Sequence, residues 1–458
     1  MLPLTLALLL LSTAAFVLGR RRAFAVVEGE TRLLHSQPGS YGQWVALWCA
    51  LPSLAVVVAW WLLEPALIEW QTFAGAPAEV VELPPERREL FARDALALSA
   101  GEVTSSEPGP ALRAAAGRIQ RVEGLGQLSV GGLAAAVALM GLGWARGRIR
   151  PQLRARNHVE AVARTALAAS SLVAILATVG IVLSLVFEAA RFFALVPLGD
   201  FLFGLEWSPQ TAIRADQVGS SGAFGAAPVF AGTLLITALA MAVAVPVGLL
   251  AAIFLSDYAT PLTRAWVKPL LEILAGIPTV VYGFFAALSV GPLVRQLGER
   301  LGWEVSSESA LAAGLVMGVM IIPFVSSLSD DVINAVPRSL REGSLGLGAT
   351  KSETIRRVVL PAALPGIVGA VLLAISRAIG ETMIVVMAAG LAANLSANPF
   401  EAVTTVTVQI VTLLVGDQEF DSAKTLAAFA LGLALFLVTL GLNVVALVVV
   451  RRYREQYD

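Results

Sequence analysis

Apolar segments long enough to cross a bilayer recur along the whole chain, and they constrain its fold more than any other feature. A helix needs about 20 mainly apolar residues to span about 30 Å of hydrocarbon, because each residue adds about 1.5 Å. Of the 458 residues, 57% are hydrophobic and only 14% are charged, whereas a soluble domain carries about 25% charged residues. The sequence therefore predicts an all-α integral membrane protein. The expected spans are about 2–19, 43–63, 128–145, 165–187, 228–256, 269–294, 309–329, 362–391 and 425–450.

Clusters of arginine predict the orientation of these spans. Residues Arg20–Arg22 follow the first apolar segment, whereas a signal peptide carries its positive charges before that segment. Basic loops favour the cytoplasm, so this order predicts that the N-terminus lies outside. Five arginines between Arg146 and Arg156, and Arg451, Arg452 and Arg454 at the other end, bracket six spans and predict cytoplasmic positions. We expect a multi-pass protein of a bacterial inner membrane with a cytoplasmic C-terminus.

The chain divides by composition into an extension and a core. Residues 1–160 hold three expected spans and a hydrophilic segment, 64–127, which we expect outside the membrane. Within that segment, Pro84-Pro85 and the stretch 102–110 bracket a modest helix, since proline and glycine interrupt regular structure. Residues 161–458 hold the six remaining spans. The sequence does not indicate what the extension does.

A polar loop, residues 337–361, carries two patterns typical of helix starts. Ser339 and Glu342 stand three residues apart, and so do Thr350 and Glu353. In such a pair, called a capping box, the hydroxyl and the carboxylate accept hydrogen bonds from the free amides of the first helical turn. The loop therefore predicts two short helices.

Glycines between these pairs predict a bend near Gly346–Gly348, because glycine weakens a helix by about 1 kcal/mol. Leu360-Pro361 is expected to stop the second helix. Several basic residues favour a cytoplasmic position for this elbow, residues 337–361. They are Arg338, Arg341, Lys351, Arg356 and Arg357.

Two charged residues, Arg377 and Glu381, lie near the middle of the expected span 362–391. A charge at the bilayer centre costs about 2.5–3.5 kcal/mol on insertion scales, so such residues usually face a bundle interior or a water-filled path. Their four-residue spacing places both on one face of a continuous helix. They form either a structural ion pair or a site in which the guanidinium offers its donors to an oxyanion while the carboxylate holds it.

Other polar groups within the spans leave two interpretations open. Gly276, Ile277 and Pro278 lie inside the expected span 269–294, where a proline kink is expected and an opening toward a transport path is the alternative. Four hydroxyl residues serve either an oxyanion or hydrogen bonds between helices. They are Thr279, Tyr282, Ser376 and Thr382.

Several function classes are disfavoured. The sequence GLGATKS lacks the glycine directly before Lys351 that a phosphate-binding loop needs, and no paired carboxylates or nucleophile with its base share a polar segment. We therefore expect neither an enzyme nor a cofactor. Cys49, His35 and His158 show no metal-binding spacing. The net charge of −1 does not indicate a nucleic-acid partner, although the basic segment 146–156 leaves contact with nucleic acid or acidic lipid as an alternative.

A membrane subunit with a rigid elbow suggests a pump whose energy comes from another protein. The rivals are an ion-coupled secondary transporter and a membrane scaffold or sensor.

The elbow resembles the EAA motif of ABC importer permeases, a glutamate and two alanines, then three residues, glycine, nine residues and I-x-L-P. Here Glu342-Gly343-Ser344 is followed by Gly348 and by Val358-x-Leu360-Pro361, with Gly and Ser for the alanines and Val for Ile. The resemblance implies a docking surface for an ATPase. The residues carried over to it are Glu342, Gly343, Ser344, Gly348, Ala349, Thr350, Leu360 and Pro361.

More narrowly, residues 160–458 resemble the PstC family of phosphate permeases. The segments that carry this resemblance are FLFGLEWSP (201–209), FGAAPVFAGTLLIT (224–237), AGIPTVVYGFFA (275–286), VPRSLREGSLGLGATKSETI (336–355) and SRAIGETM (376–383). The resemblance implies a six-helix importer core that pairs with a second, PstA-like permease. It further implies two copies of a PstB-like ATPase and a periplasmic, PstS-like phosphate-binding protein, with Arg377 and Glu381 as the charges that phosphate passes. The residues alone leave sulfate and molybdate open as substrates.

Overall fold

The computed structural model describes residues 2–74, 76–77, 80, 84–103, 109–209, 222–415 and 422–453. Within these ranges, nine helical segments are long and apolar enough to cross a membrane, so the prediction of nine spans is confirmed. Contacts divide the chain into two units, residues 1–175 and 176–458. Residues 104–108 of the expected break and Arg454 lie outside the described residues.

The N-terminal unit contains four helices before the division. They are α1 (Leu2–Val26), α2 (Pro38–Phe73), α3 (Pro85–Ala100) and α4 (Pro110–Gly147). The modest helix expected within 64–127 is confirmed as α3, but α2 and α4 also extend into that segment. Arg118 of α4 donates hydrogen bonds to the carbonyl oxygens of Gln71 (3.0 Å) and Thr72 (3.1 Å), which closes the end of α2.

Small residues let the long helices of this unit approach closely, as they do where lipid supplies no hydrophobic force between helices. A Cβ atom added to Gly141 of α4 would lie 2.0 Å from the carbonyl oxygen of Trp48 in α2. Aromatic rings pack around the same contact, with the centroids of Trp48 and Trp144 4.5 Å apart. The helices of this unit therefore pack backbone to backbone.

The second unit begins within α5 (Ala155–Leu195), which crosses the division. Its remaining elements follow in chain order: α6 (Leu198–Phe203), β1 (Trp207–Ser208), β2 (Ala223–Phe224), α7 (Ala227–Ile253), α8 (Pro261–Gly276), α9 (Thr279–Phe285), α10 (Gly291–Arg300), α11 (Ala310–Ala335), α12 (Arg338–Gly346), α13 (Lys351–Thr354), α14 (Leu360–Ile379), α15 (Met383–Ala388), α16 (Val406–Leu414) and α17 (Ala423–Tyr453). The two strands form one small antiparallel pair. The all-α class is otherwise confirmed over the described residues.

The core of the second unit lies around α11, which packs along α7 and is the most buried of the candidate spans. Glycines again allow a close approach, here between α11 and α7. A Cβ atom on Gly318 would lie 2.8 Å from the carbonyl oxygen of Ala240, and one on Gly314 would lie 2.7 Å from Leu239. The ends of α8, α9, α14 and α15 pack onto this pair through apolar side chains.

The expected span 269–294 is wrong, because the helix is interrupted inside it. Helix α8 ends at Gly276, and Ile277 and Pro278 take extended conformations before α9 begins. The residue before a proline is driven out of the helical region by the proline ring. The segment that can cross a membrane is instead Thr279–Arg300, in which a π-helical turn, Ala286–Val290, joins α9 to α10.

The expected stop at Leu360-Pro361 is also wrong. A π-helical turn, Ile355–Val359, links α13 to α14, so the chain stays helical from Lys351 to Ile379. The amide of Leu360 donates to the carbonyl oxygen of Ile355, and Pro361 falls in the first turn of α14. Proline is tolerated there because the π-helical turn before it already interrupts the regular pattern of α-helical hydrogen bonds.

Candidate functional site

Helix α14 ends two residues before Glu381, so no single helix carries both Arg377 and Glu381. It stops at Ile379, Gly380 caps it, and Glu381 and Thr382 are non-helical before α15 begins. The prediction that Arg377 and Glu381 share one helix face is therefore wrong, and so is the expected span 362–391. The physical reason is that the backbone leaves the helix at a glycine and its freed groups find other partners.

Three hydrogen bonds stabilise this interruption. The amide of Glu381 donates to the carbonyl oxygen of Ala378 (3.1 Å), and the carbonyl oxygen of Glu381 accepts from the hydroxyl of Thr407 (2.9 Å). The Glu381 carboxylate accepts from the amide of Met383 (3.2 Å), at the start of α15. Irregular backbone at membrane depth persists only where protein or a water-filled cavity satisfies its polar groups. Glu381 therefore holds the backbone of the site.

Arg377 lies in the last turn of α14 with an exposed side chain. Its guanidinium carbon lies 5.9 Å from the centre of the Phe324 ring. Among the described residues, no carboxylate forms an ion pair with it. The alternative of a structural ion pair between Arg377 and Glu381 is therefore wrong. The guanidinium keeps its five donors available to an anion.

The second interruption, at Ile277 and Pro278, lies beside the first. The hydroxyl of Tyr282 donates to the carbonyl oxygen of Leu274 (2.8 Å), which satisfies a group that α8 leaves free at its end. Gly283 of α9 meets α15 directly, since a Cβ atom there would lie 2.7 Å from the sulfur of Met387. Broken helices packed side by side are the usual way in which transporters build a site at membrane depth.

The hydroxyl groups near these interruptions are mostly committed to the protein itself. Ser376 donates to the side-chain oxygen of Asn443 (3.0 Å), and Thr382 donates to the carbonyl oxygen of Gly380 (3.3 Å). Tyr282 is engaged at Leu274. Hydrogen bonds between helices are thus present for Ser376 and Tyr282, whereas Thr382 bonds locally within the interruption.

The elbow has the predicted bend but only one of the two capping boxes. Thr350 and Glu353 form a complete box, with Glu353 accepting from the Thr350 amide at 2.9 Å. The box expected at Ser339 and Glu342 is wrong, because α12 already begins at Arg338 and Pro337 precedes it. The bend lies at Gly348, whose φ of +88° is a conformation that favours glycine.

The residues matched to the EAA motif come together in the elbow. The hydroxyl groups of Ser344 and Thr354 lie 3.0 Å apart, and the amide of Ala349 donates to the carbonyl oxygen of Ser344 (3.2 Å). One side of the elbow is exposed, and Leu347 at its tip is 92% exposed. The exposed positions are Glu342, Gly343, Gly348, Thr350 and Pro361, while Ser344, Ala349 and Leu360 are partly buried.

Sequence reasoning missed a cluster of charges near the end of α11. Asp330, whose side chain is 2% exposed, pairs with Arg264 (2.9 Å) and Lys268 (2.9 Å) of α8. Asp257 pairs with Arg341 of the elbow. Two features of the sequence could have indicated this cluster. Asp330 directly follows an expected span, and the cations Arg264 and Lys268 stand four residues apart, on one face of a helix. Among the described residues, no group of three or more His, Cys, Asp or Glu side chains could hold a metal ion.

Interrupted helices within a multi-pass bundle, an exposed guanidinium at one interruption and an exposed elbow define a membrane transport subunit. Residues 244–455 match the family model described as binding-protein-dependent transport system inner membrane component. Residues 5–177 match the family model described as phosphate ATP-binding cassette transporter. The extension therefore has relatives of its own, although the sequence resemblance began only near residue 160.

Curated relatives agree with these models. A probable ABC transporter permease, YqgH of Bacillus subtilis, is 33% identical over 286 residues, which cover 62% of this chain and 88% of that protein. The phosphate transport system permease protein PstC 1 of Mycobacterium tuberculosis is 34% identical over 277 residues, 55% of this chain and 81% of that protein. The chain belongs to the family of binding-protein-dependent ABC transporter permeases. Its fold is a six-helix permease core preceded by about three further membrane helices.

Among solved structures, a chain of the MetNI methionine ABC transporter in an inward-facing conformation is similar, with 18% sequence identity. The match covers 50% of this chain and 95% of that chain, with a TM-score of 0.38.

Proposed function

We infer that this chain is the membrane-spanning permease subunit of an ATP-driven importer of inorganic phosphate. The observation that carries this inference is the guanidinium of Arg377, exposed at the end of α14 and without a carboxylate partner among the described residues. Phosphate transport appears in the descriptions of one matched family and of several relatives. A guanidinium binds a phosphate oxygen pair through two parallel N–H donors, which suits a planar, always charged group.

Arg377 and Glu381 have different roles in this proposal. Arg377 offsets the negative charge of the passing anion, while Glu381 keeps its carboxylate on the Met383 amide and so holds the interruption open. A weakly held anion is required, because a transport site must release its cargo as readily as it accepts it. A single guanidinium, rather than a closed shell of donors, fits that requirement.

The elbow is the docking site for the ATPase. Its exposed side carries Glu342, Gly343 and Gly348, and internal hydrogen bonds make its two helices one unit. We place the elbow and the C-terminus in the cytoplasm and the N-terminus outside, following the arginine clusters. We assign residues 1–160 to the extension and 161–458 to the permease core.

The assembly contains further subunits. As a permease of an ABC importer, the chain works with an ATPase and a binding protein. We propose a heterodimer with a PstA-like permease, two copies of a PstB-like ATPase and a periplasmic, PstS-like phosphate-binding protein.

Transport by proteoliposomes that contain the whole assembly tests this function. Labelled phosphate should enter only when ATP is present on the elbow side and the binding protein on the other. Unlabelled phosphate should compete, whereas sulfate and molybdate in equal excess should not. Uptake that is blocked by sulfate or molybdate, or that continues without ATP, would contradict the assignment.

A further inference from the structure

One arginine of the elbow, Arg341, bonds to two segments outside it. Arg341 of α12 reaches the carboxylate of Asp257 with one guanidinium nitrogen and donates to the carbonyl oxygen of Ile333 (2.7 Å) with another. The Asp257 side chain is 9% exposed, and its second oxygen is buried with no hydrogen-bond partner among the described residues. A buried carboxylate of this kind depends on its one cation for compensation. Any displacement of α12 therefore acts on the end of α11 at Ile333.

The same turn of α11 holds α8. Asp330, three residues before Ile333, accepts from Arg264 at both oxygens (2.9 and 3.1 Å) and from Lys268 at 2.9 Å. Burying a carboxylate without partners is strongly unfavourable. These ion pairs therefore join α11 to two successive turns of α8.

Asn334 links the two attachments. Its side-chain nitrogen donates to Asp330 (2.7 Å), and its side-chain oxygen accepts from the hydroxyl of Ser256 (3.2 Å), the neighbour of Asp257. A continuous series of polar contacts therefore runs from α8 through the last turn of α11 to the elbow. Three of these contacts join residues 62, 66 and 78 positions apart in the chain.

Helix α8 leads directly to the interrupted helices of the site. Its end at Leu274 is bonded to Tyr282 of α9, and Gly283 of α9 contacts Met387 of α15. Helix α15 begins beside Glu381. A packed series of elements with alternative arrangements is what carries coupling between distant sites.

We propose that Asp330 is a positioning residue of the transport cycle, which makes α8 move together with the elbow and so passes the elbow's displacement to the interruption at Glu381. This inference rests on the proposed function, in which an ATPase drives the elbow. It adds residues that belong neither to the EAA pattern nor to the two predicted charges, Arg377 and Glu381.

The experiment follows the distance between α8 and the elbow in the complete assembly. Two exposed positions, Ala265→Cys and Ser339→Cys, receive spin labels in a Cys49→Ala background, since Cys49 is the one native cysteine. With Asp330 intact, the distribution of distances between the two labels should be the same without nucleotide and with ATP trapped on the ATPase. With Asp330→Asn, the two states should give different distributions. A distance that changes with Asp330 intact, or that stays constant in the variant, would overturn the proposal.

Arg264→Gln, which removes the contacts to both oxygens of Asp330 and alters only the α8 end of the cluster, provides a second variant in case Asp330→Asn does not assemble. It should behave as Asp330→Asn does. Arg295→Gln is the matched control, because it removes one member of an exposed ion pair with Glu299 at 3.1 Å and leaves the cluster unchanged.

Phosphate imported per ATP hydrolysed provides the functional readout. Asp330→Asn should lower this ratio about ten-fold, within the range typical of coupling between two sites, whereas a merely structural role would reduce the amount of assembly and leave the ratio unchanged. An unchanged ratio would count against Asp330. If the unmodified assembly imports no phosphate, the proposed function is wrong, and the label distances still decide the role of Asp330.

Discussion

The hydroxyl of Thr407 donates a 2.9 Å hydrogen bond to the carbonyl oxygen of Glu381, which joins the second residue of α16 to the interruption between α14 and α15. The bond satisfies a backbone group that a continuous helix would have satisfied itself. A helix that lies later in the chain therefore helps to determine where α14 ends.

Replacing Thr407 with Val should weaken this interruption. The substitution keeps the side-chain shape and removes the donor, which costs about 1 kcal/mol for a typical hydrogen bond, so we expect phosphate uptake to fall several-fold. Thr412→Val is the control, because the Thr412 hydroxyl donates within its own helix, to the carbonyl oxygen of Gln409 (3.0 Å). Equal uptake by both variants, at equal amounts in the membrane, would count against a role for the Thr407 bond.

Gly348→Ala should disturb the elbow. The backbone there has a φ of +88°, and an L-residue in that conformation costs about 1–2 kcal/mol. We expect less ATPase to co-purify with the variant and less ATP hydrolysis per assembly. Gly346→Ala separates strain from side-chain bulk, since a Cβ atom at either glycine meets nothing within 4 Å and only Gly348 has a positive φ. The idea fails if both variants retain the ATPase equally.

Glu342→Ala tests the docking surface by removing a side-chain carboxylate, without a change in backbone conformation. Glu342 is exposed on α12, and truncating an interface residue that matters costs about 1–2 kcal/mol. Recovery of the ATPase should drop about ten-fold, as 1.4 kcal/mol predicts. Glu304→Ala, which changes another exposed glutamate, should leave recovery unchanged. Undiminished recovery with Glu342→Ala would remove this residue from the docking site.

Local patterns predicted the fold well where one segment decides its own structure. The number of spans follows from apolar length, the second capping box from Thr350 and Glu353, and the bend from a glycine whose conformation other residues avoid. Each of these signals lies within a few residues of the feature that it produces. For that reason no tertiary contact was needed to find them.

The interruptions depend on partners that lie far away in the chain. Gly380 alone weakens a helix by only about 1 kcal/mol, so the end of α14 could not be located without Thr407, 26 residues beyond Glu381. The ion pair of Arg341 with Asp257 joins positions 84 residues apart. A sequence pattern also cannot show that Arg377 and Glu381 do not pair, because four-residue spacing favours a contact only while the helix continues.

Phosphate uptake by Arg377→Gln, measured in proteoliposomes that contain the complete assembly, tests the central claim most directly. Glutamine keeps two donors and removes the charge, and a hydrogen bond to a charged group contributes about 1.5–3 kcal/mol, so uptake should fall about 10- to 100-fold. Assembly and ATP hydrolysis stimulated by the binding protein should persist, and Arg377→Lys should retain part of the uptake. Uptake by Arg377→Gln at the unmodified rate would contradict the role of this guanidinium in moving the anion.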